Sequence, residues 1–256
     1  MDRTTKVLDH GYVKFIDSMS TDETIVEAAR MSTGRGFVSW EHYERCKTCG
    51  ALWRIWPFTV EGDGKPSASL MEGEKCGPCC DNQPMSIPDK FEIYPTGDMG
   101  LLDNLWRHKH ATPFEMCELT LEVQAPIMVF REWHRHRTQS YNEFSARYAQ
   151  MPNLHYVPER ERIKKQSTTN KQGSDVAMDD VWAMHFITEI HNTQQDIYDR
   201  YDKAVEQGLA KEVARLNTPV SRYSKMRAKT DLRNWLAFLN LRMRPGAQWE
   251  IRQYAN

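Results

Sequence analysis

Arg135-His136-Arg137-Thr138-Gln139-Ser140-Tyr141-Asn142-Glu143-Phe144-Ser145-Ala146-Arg147 is the stretch on which the reading of this chain turns. Two arginines bracket a histidine, and Asn142, Glu143, Ser145 and Arg147 follow, so forked donors, acceptors and a hydroxyl are concentrated where apolar anchors are few. Such a segment is too polar for a core. Guanidinium groups grip phosphate through paired hydrogen bonds and stack on flat rings, which makes the stretch a candidate nucleotide site. An extended backbone would alternate Glu143, Ser145 and Arg147 onto one side. A charge run can equally be a solvated turn, so the surroundings must decide.

Immediately upstream, Pro126 suits the first turn of a helix from Ile127 to about His134, which delivers the chain into the polar stretch. Before it, Cys117, Leu119, Leu121 and Val123 alternate with Glu118, Thr120 and Glu122, the pattern of a half-buried strand. Asp98 can cap a helix whose stripe is Leu102, Leu105 and Trp106 and which stops before Thr112-Pro113. Nearer the N-terminus, Asp9-His10-Gly11 reads as a turn into a short strand, Tyr12 to Ile16, and Ser20 to Glu23 supply cap chemistry for a helix over Thr24 to Met31. Downstream, Glu159 to Asp175 is charged, rich in Ser, Thr and Asn and aperiodic, and reads as a mobile surface loop. A long helix starting at Asp179-Asp180 repeats Ile187, Ile190, Gln194, Ile197, Tyr198, Tyr201 and Val205 at helical spacing until Gly208, a stripe for a core or a subunit interface. A last helix, about Asp231 to Arg244, carries Leu232, Trp235, Leu236 and Leu239 on one face and stops at Pro245-Gly246.

Lys+Arg 34 against Asp+Glu 35 leaves a net charge of -1, so any anion site is a local cluster and nothing global points to nucleic acid or membrane. No apolar run is long enough for a bilayer and the N-terminus is polar, so a cytoplasmic location is expected. From about 40 to 96 the composition shifts to Cys, Gly, Pro and Trp. Cys46-Lys47-Thr48-Cys49 stands at one end and Cys76-Gly77-Pro78-Cys79 at the other, resembling a zinc ribbon, because tetrahedral zinc takes four thiolates from two tight turns. The rival reading is redox, since Cys76 to Cys79 copies the thioredoxin motif, but the β-α-β surroundings are missing and Cys46 and Cys49 are then unexplained. Cys80 is a spare thiol or substitute ligand, and Cys117 faces the core.

With its outlying segments, the opening stretch resembles the flavin-dependent thymidylate synthases, whose signature reads here as R-H-R-x(4)-N-E-x-S-x-R; every fixed position agrees. His110 to Glu115, Ala125 to Trp133, Val213-Ala214-Arg215, Phe238 to Arg242 and Ala247 to Glu250 match in order. The resemblance covers roughly residues 5 to 40 and 97 to 254. It implies one domain over 1–256 with the ribbon-like segment, 40–96, inserted in it. The expected fold is α+β, a central mostly antiparallel sheet with flanking helices, assembled as a homotetramer with active sites between subunits.

The implied reaction is reductive methylation of dUMP to dTMP, with methylenetetrahydrofolate as carbon donor and NADPH-reduced FAD as hydride carrier. No G-x-G-x-x-G turn is present, so arginine and histidine must hold the flavin. Residue by residue, the resemblance assigns FAD contacts to Arg135, His136, Arg137, Thr112 and Glu143, with Asp231 and Arg233 on the adenine side. It assigns the dUMP phosphate to Ser145, Arg147 and Arg215, further nucleotide contacts to Glu132, Arg135 and Glu143, the polarised uracil ring to Arg242, and a place near the flavin ring to His110. Arg242 is expected with its stem buried and its head emerging near the helix end. Some relatives carry polar residues where this chain has Ala237 and Gly246, and most continue beyond the position of Asn256. These departures motivate a second reading, a variant that alkylates or hydroxymethylates another pyrimidine nucleotide. A third reading is a non-catalytic nucleotide- or nucleic-acid-binding protein built on the ribbon, against which the intact signature argues.

Overall fold

The computed structural model describes residues 3–38, 40, 42–56, 67–70, 91–94 and 97–256. In chain order its elements are β1 (Thr4–Val7), β2 (Gly11–Met19), α1 (Asp22–Arg30), β3 (His42–Cys46), β4 (Leu52–Trp56), β5 (Ser67–Leu70), β6 (Phe91–Tyr94), α2 (Gly97–Arg107) and α3 (Ala111–Glu115). They continue with β7 (Glu118–Pro126), α4 (Ile127–Trp133), β8 (Ser140–Glu143), β9 (Lys164–Gln166), β10 (Ser174–Ala177), α5 (Asp180–Glu206), α6 (Lys211–Ala214), β11 (Tyr223–Asp231), α7 (Leu232–Arg242) and α8 (Trp249–Ala255). The chain divides into two compact units, Met1–Met19 with Glu118–Asn256, and Ser20–Cys117.

The first unit is built on a five-stranded antiparallel sheet in the order β1-β2-β7-β11-β8, as the resemblance implies. β7 and β11 pair from Glu118↔Asp231 to Pro126↔Tyr223 and form its centre. The sequence reading left β11 out. Its buried face is Met226, Ala228 and Thr230, alternating with exposed Lys225, Arg227 and Lys229, so the period of two is present but carried by residues with little apolar weight; Tyr223, buried at the start of the strand, lies on the opposite face. Over one face pack α4, α7 and α8 through Trp133, Trp235, Phe238 and Ile251, all nearly inaccessible. The Trp133 and Phe238 rings lie 4.5 Å apart, and Trp235 donates its indole N–H to the Leu119 carbonyl at 2.9 Å, which fixes α7 to β7. At the β1–β2 turn only glycine fits, since a Cβ on Gly11 would stand 2.0 Å from the Tyr254 hydroxyl that α8 sends to the Gln124 carbonyl.

The segment read as a mobile loop from Glu159 to Asp175 instead contains most of the β9–β10 hairpin. All of its strand residues are exposed, so it has no apolar face from which a periodicity could be read. The long helix appears as α5, capped by Asp179 accepting from the Trp182 amide at 3.0 Å. Ala183, Gln194 and Tyr201 are its buried residues and the isoleucines of the stripe are half-buried.

In the second unit β3 to β6, within the segment expected to be ribbon-like, form a sheet in the order β5-β4-β3-β6. Asp98 does not cap α2. It is buried inside the first turn, pairs with Arg30, and accepts the Val38 amide at 2.6 Å. Among the described residues no helix is long and apolar enough to cross a membrane.

Candidate active site

The signature begins where α4 ends. The His134 amide reaches the Phe130 carbonyl at 2.8 Å and the His136 amide the Trp133 carbonyl at 3.0 Å, so the chain curls over the end of the helix. The Tyr141 hydroxyl, from β8, donates to the carbonyls of His136 at 2.8 Å and Trp133 at 3.2 Å. Burial pushes that hydroxyl up to about 12, so it stays protonated and remains a donor. The buried Trp133 indole donates to Gln139 Oε1 at 2.9 Å, and Thr230 Oγ1 on β11 donates to the Thr138 carbonyl at 3.1 Å. The loop is therefore fastened from within. Arg135 and Arg137 are left exposed, with no carboxylate pairing with either among the described residues.

Arg242 ends α7 inside this arrangement. Its Nε donates to His136 Nε2 at 2.9 Å, one terminal nitrogen donates to Glu132 Oε2 at 2.7 Å, and the other to the Glu132 carbonyl at 2.9 Å. Arginine has no acceptor atom, so His136 Nε2 must accept and the neutral ring carries its proton on Nδ1. Burial, and then the Arg242 charge, hold the His136 pKa below its ordinary value. The guanidinium does not simply emerge at the helix end, as expected from the sequence. Arg242 is only 8% exposed, and three of its five N–H groups are engaged, leaving two for a ligand. Glu132 is thereby the partner of Arg242. Both line a cleft of about 790 Å³ whose other walls are the β9–β10 hairpin and the segment Pro245 to Trp249.

The expected alternation of Glu143, Ser145 and Arg147 on one strand does not form. β8 stops at Glu143, the Phe144 amide bonds the Lys225 carbonyl at 2.7 Å, and the chain then turns, with the Tyr148 amide on the Ser145 carbonyl at 3.1 Å. Glu143 accepts from Ser224 Oγ at 2.8 Å, and Ser145 Oγ accepts the Arg147 amide at 3.3 Å. Arg147 pairs through Nε with Glu212 of α6 at 2.9 Å. Arg215 directly follows α6, so this ion pair brings the end of the signature to the helix that presents Arg215. Asp231 is the N-cap of α7, accepting the Asn234 amide at 2.8 Å, and Arg233 is exposed in the first turn of that helix.

His110 and Thr112 belong to the second unit, where His110 is the exposed N-cap residue of α3 and Thr112 is exposed within it. Cys46 is buried at the end of β3 and Cys49 exposed in the turn to β4, where the Gly50 amide reaches the Cys46 carbonyl at 2.8 Å. Cys76, Cys79 and Cys80 lie outside the described residues. Among those described, no group of three or more His, Cys, Asp or Glu side chains is placed to hold a metal.

Residues 14–256 match the family model for Thy1, the thymidylate synthase complementing protein. The chain belongs to the Thy1 family. It is 36% identical over 250 residues to the flavin-dependent thymidylate synthase of Wolbachia pipientis wMel, covering 98% of this chain and 69% of that one. A flavin-dependent thymidylate synthase of Thermus thermophilus is 35% identical over 252 residues, covering 98% and 71%. Among solved structures, a UMP/dUMP methylase of Streptomyces cacaoi with 5-bromo-UMP bound superposes with a TM-score of 0.67 at 25% identity, over 98% of this chain and 87% of that one.

Within this Thy1 chain the structure brings Glu132, His136 and Arg242 into one hydrogen-bonded group from distant parts of the sequence. Gln139 and Tyr141, which hold the His136 loop, escaped the sequence reading because they occupy positions that the signature leaves open. No periodic signal marks Tyr141, since it is half-buried while Glu143, two positions on in β8, is exposed.

Proposed function

We propose that the protein methylates carbon 5 of the uracil ring of dUMP to give dTMP, using methylenetetrahydrofolate as carbon donor and FAD reduced by NADPH as the source of hydride. In net terms the methylene carbon passes from the tetrahydrofolate nitrogens to carbon 5, the ring loses its carbon-5 proton, hydride from the reduced flavin converts methylene to methyl, and tetrahydrofolate leaves with its nitrogens protonated. The observation that carries this reading is the Arg242–His136–Glu132 group beneath an intact family signature. A guanidinium fixed on three sides keeps two N–H groups for a uracil carbonyl, where it steadies negative charge as carbon 5 becomes nucleophilic. The neutral His136 leaves that charge uncontested.

The residues present fit a flavin nucleotide. Arg135 and Arg137 are exposed cations on a rigid loop, suited to its phosphates, with Glu143, Thr112, Asp231 and Arg233 as further contacts. FAD, when bound, supplies the hydride chemistry. Ser145, Arg147 and Arg215 take the dUMP phosphate, for which Arg147 exchanges Glu212. His110 serves the flavin ring. The assembly is a homotetramer with shared sites. Incubating dUMP with the full cofactor set and weighing the product tests the reading: a nucleotide heavier by one CH2 supports it, and unchanged dUMP beside active NADPH oxidation overturns it.

One observation favours a second reading, a wider pyrimidine range, since the solved methylase of similar fold was captured with both 5-bromo-UMP and 5-bromo-dUMP. Competition between UMP and dUMP in the same assay separates the two. For the inserted segment, the tight Cys46–Cys49 turn suits half of a four-thiolate site completed by Cys76 and Cys79. Metal analysis should find about one zinc per chain; zinc-free protein with two disulfides would favour the redox reading.

A further inference from the structure

We propose that the cleft beyond Arg242 seats the aryl-glutamate tail of the one-carbon donor, with Trp249 as platform for the ring and Lys164 and Arg252 as partners of the carboxylates. The inference rests on the reading above and names the ligand of one part of that site. At about 790 Å³ the cleft is of the size that encloses a whole small molecule and exceeds what the uracil ring alone requires.

Its charges leave a cationic surplus. Arg242 and Glu132 balance one another. Arg162 is engaged at 2.7 Å by Glu250, which is 3% exposed. What remains along the walls is Lys164 and Arg252 against Glu161. Arg252 contacts the Pro245 carbonyl at 3.5 Å through one terminal nitrogen, while its Nε is buried without a hydrogen-bond partner among the described residues.

The walls are also built. Arg162 bonds Ser174 Oγ of the hairpin at 3.2 Å and lies 5.8 Å from the centre of the Trp249 ring, so one guanidinium ties the hairpin, α8 and the aromatic ring together. The hairpin has no buried strand residue, so core burial does not account for it. Gln166 shapes its turn through the carbonyls of Lys171 and Gly173, at 2.9 and 2.8 Å, and Gly173 and Ser174 face the cleft.

Among the reactants the carbon donor fits best. Its reactive carbon must meet carbon 5 of the uracil held at Arg242, so the remainder of the molecule leads away from that point. The hydride donor has to reach only the flavin. A tetrahydrofolate tail is a flat aminobenzoyl ring followed by glutamate carboxylates, which calls for an aromatic platform and then cations.

Lys164 is exposed on β9, so Lys164→Glu tests the proposal without disturbing the core. The expected result is a KM for methylenetetrahydrofolate raised about tenfold, the scale of one lost charge-assisted contact, with kcat and the KM values for dUMP and NADPH within about twofold. The penalty should grow with a polyglutamyl donor. Trp249→Phe, which keeps a ring, should have less effect than Trp249→Ala. Calorimetric titration with tetrahydrofolate supplies a readout independent of turnover. If wild type forms dTMP while Lys164→Glu leaves donor KM and tetrahydrofolate affinity unchanged, the proposal falls and the function stands. A rise in the NADPH KM instead would overturn it in favour of the hydride donor. If no dTMP forms but tetrahydrofolate binds and Lys164→Glu weakens it, the site stands and the assigned reaction falls.

Discussion

Arg242 is almost inaccessible yet its charge is accommodated, because Glu132 stands against one terminal nitrogen and His136 Nε2 accepts from Nε. Glu132 and Arg242 lie far apart in sequence, so the sequence could align each with the family but could not show that they hold one another. Arg242→Ala should leave FAD bound and cut turnover at saturating dUMP by about two to three orders of magnitude, the scale of losing one preorganised donor. Arg242→Lys should rescue little, since an ammonium cannot serve Glu132, His136 and a ring carbonyl from one rigid fork. Single-turnover formation of dTMP is the measurement. Loss of thermal stability alone, with near-normal turnover, would mean that Arg242 only fastens α7 to α4.

At the scale of elements, α7 is fixed at both ends, with Asp231 capping its start and Arg242 bonded to His136 and Glu132 at its finish. Asp231→Ala should cost about 1 kcal/mol in thermal or urea unfolding through the lost cap. Asp231→Asn keeps an acceptor for the Asn234 amide and should hold that stability, yet weaken FAD if the carboxylate serves the adenine side. Equal FAD affinity in Asp231→Asn and wild type would confine Asp231 to capping. Elements whose apolar residues keep a clear period, namely β7, α5 and α7, were legible beforehand to within a few residues. β11 was not, because methionine, alanine and threonine carry its buried face, and the β9–β10 hairpin was not, because nothing in it is buried. The signature singles out candidate residues. It could not show that Glu143 ends a strand while Ser145 and Arg147 sit in a turn, because backbone direction there is set by the pairing of β8 with β11.

Across the whole molecule, two histidines, half-buried His136 and buried His155, couple the folding of the sheet unit to pH. His136 is held below its ordinary value by burial and then by Arg242, with Glu132 opposing. His155 is 6% exposed on the loop that bridges to Arg222, with its Nδ1 buried and without a hydrogen-bond partner among the described residues. Burial lowers its pKa most, followed by His191 on α5, Arg222 and His10, while Asp9 opposes them. Above the ordinary value of 6.5 both histidines are neutral whether the chain is folded or not, and they add no pH dependence. As the pH falls below it, the unfolded chain takes up protons that the native state refuses. Stability therefore declines with acidification until the native rings protonate, by at most about 1.4 kcal/mol per pH unit for each group. Melting temperatures between about pH 8 and pH 5 should be level at first and then descend, over the range where unperturbed histidine titrates. His155→Gln, which cannot titrate, should flatten that descent whatever it does to the melting temperature at neutral pH. A slope unchanged by His155→Gln would show that His155 takes up its proton as readily in the native protein as in the unfolded chain.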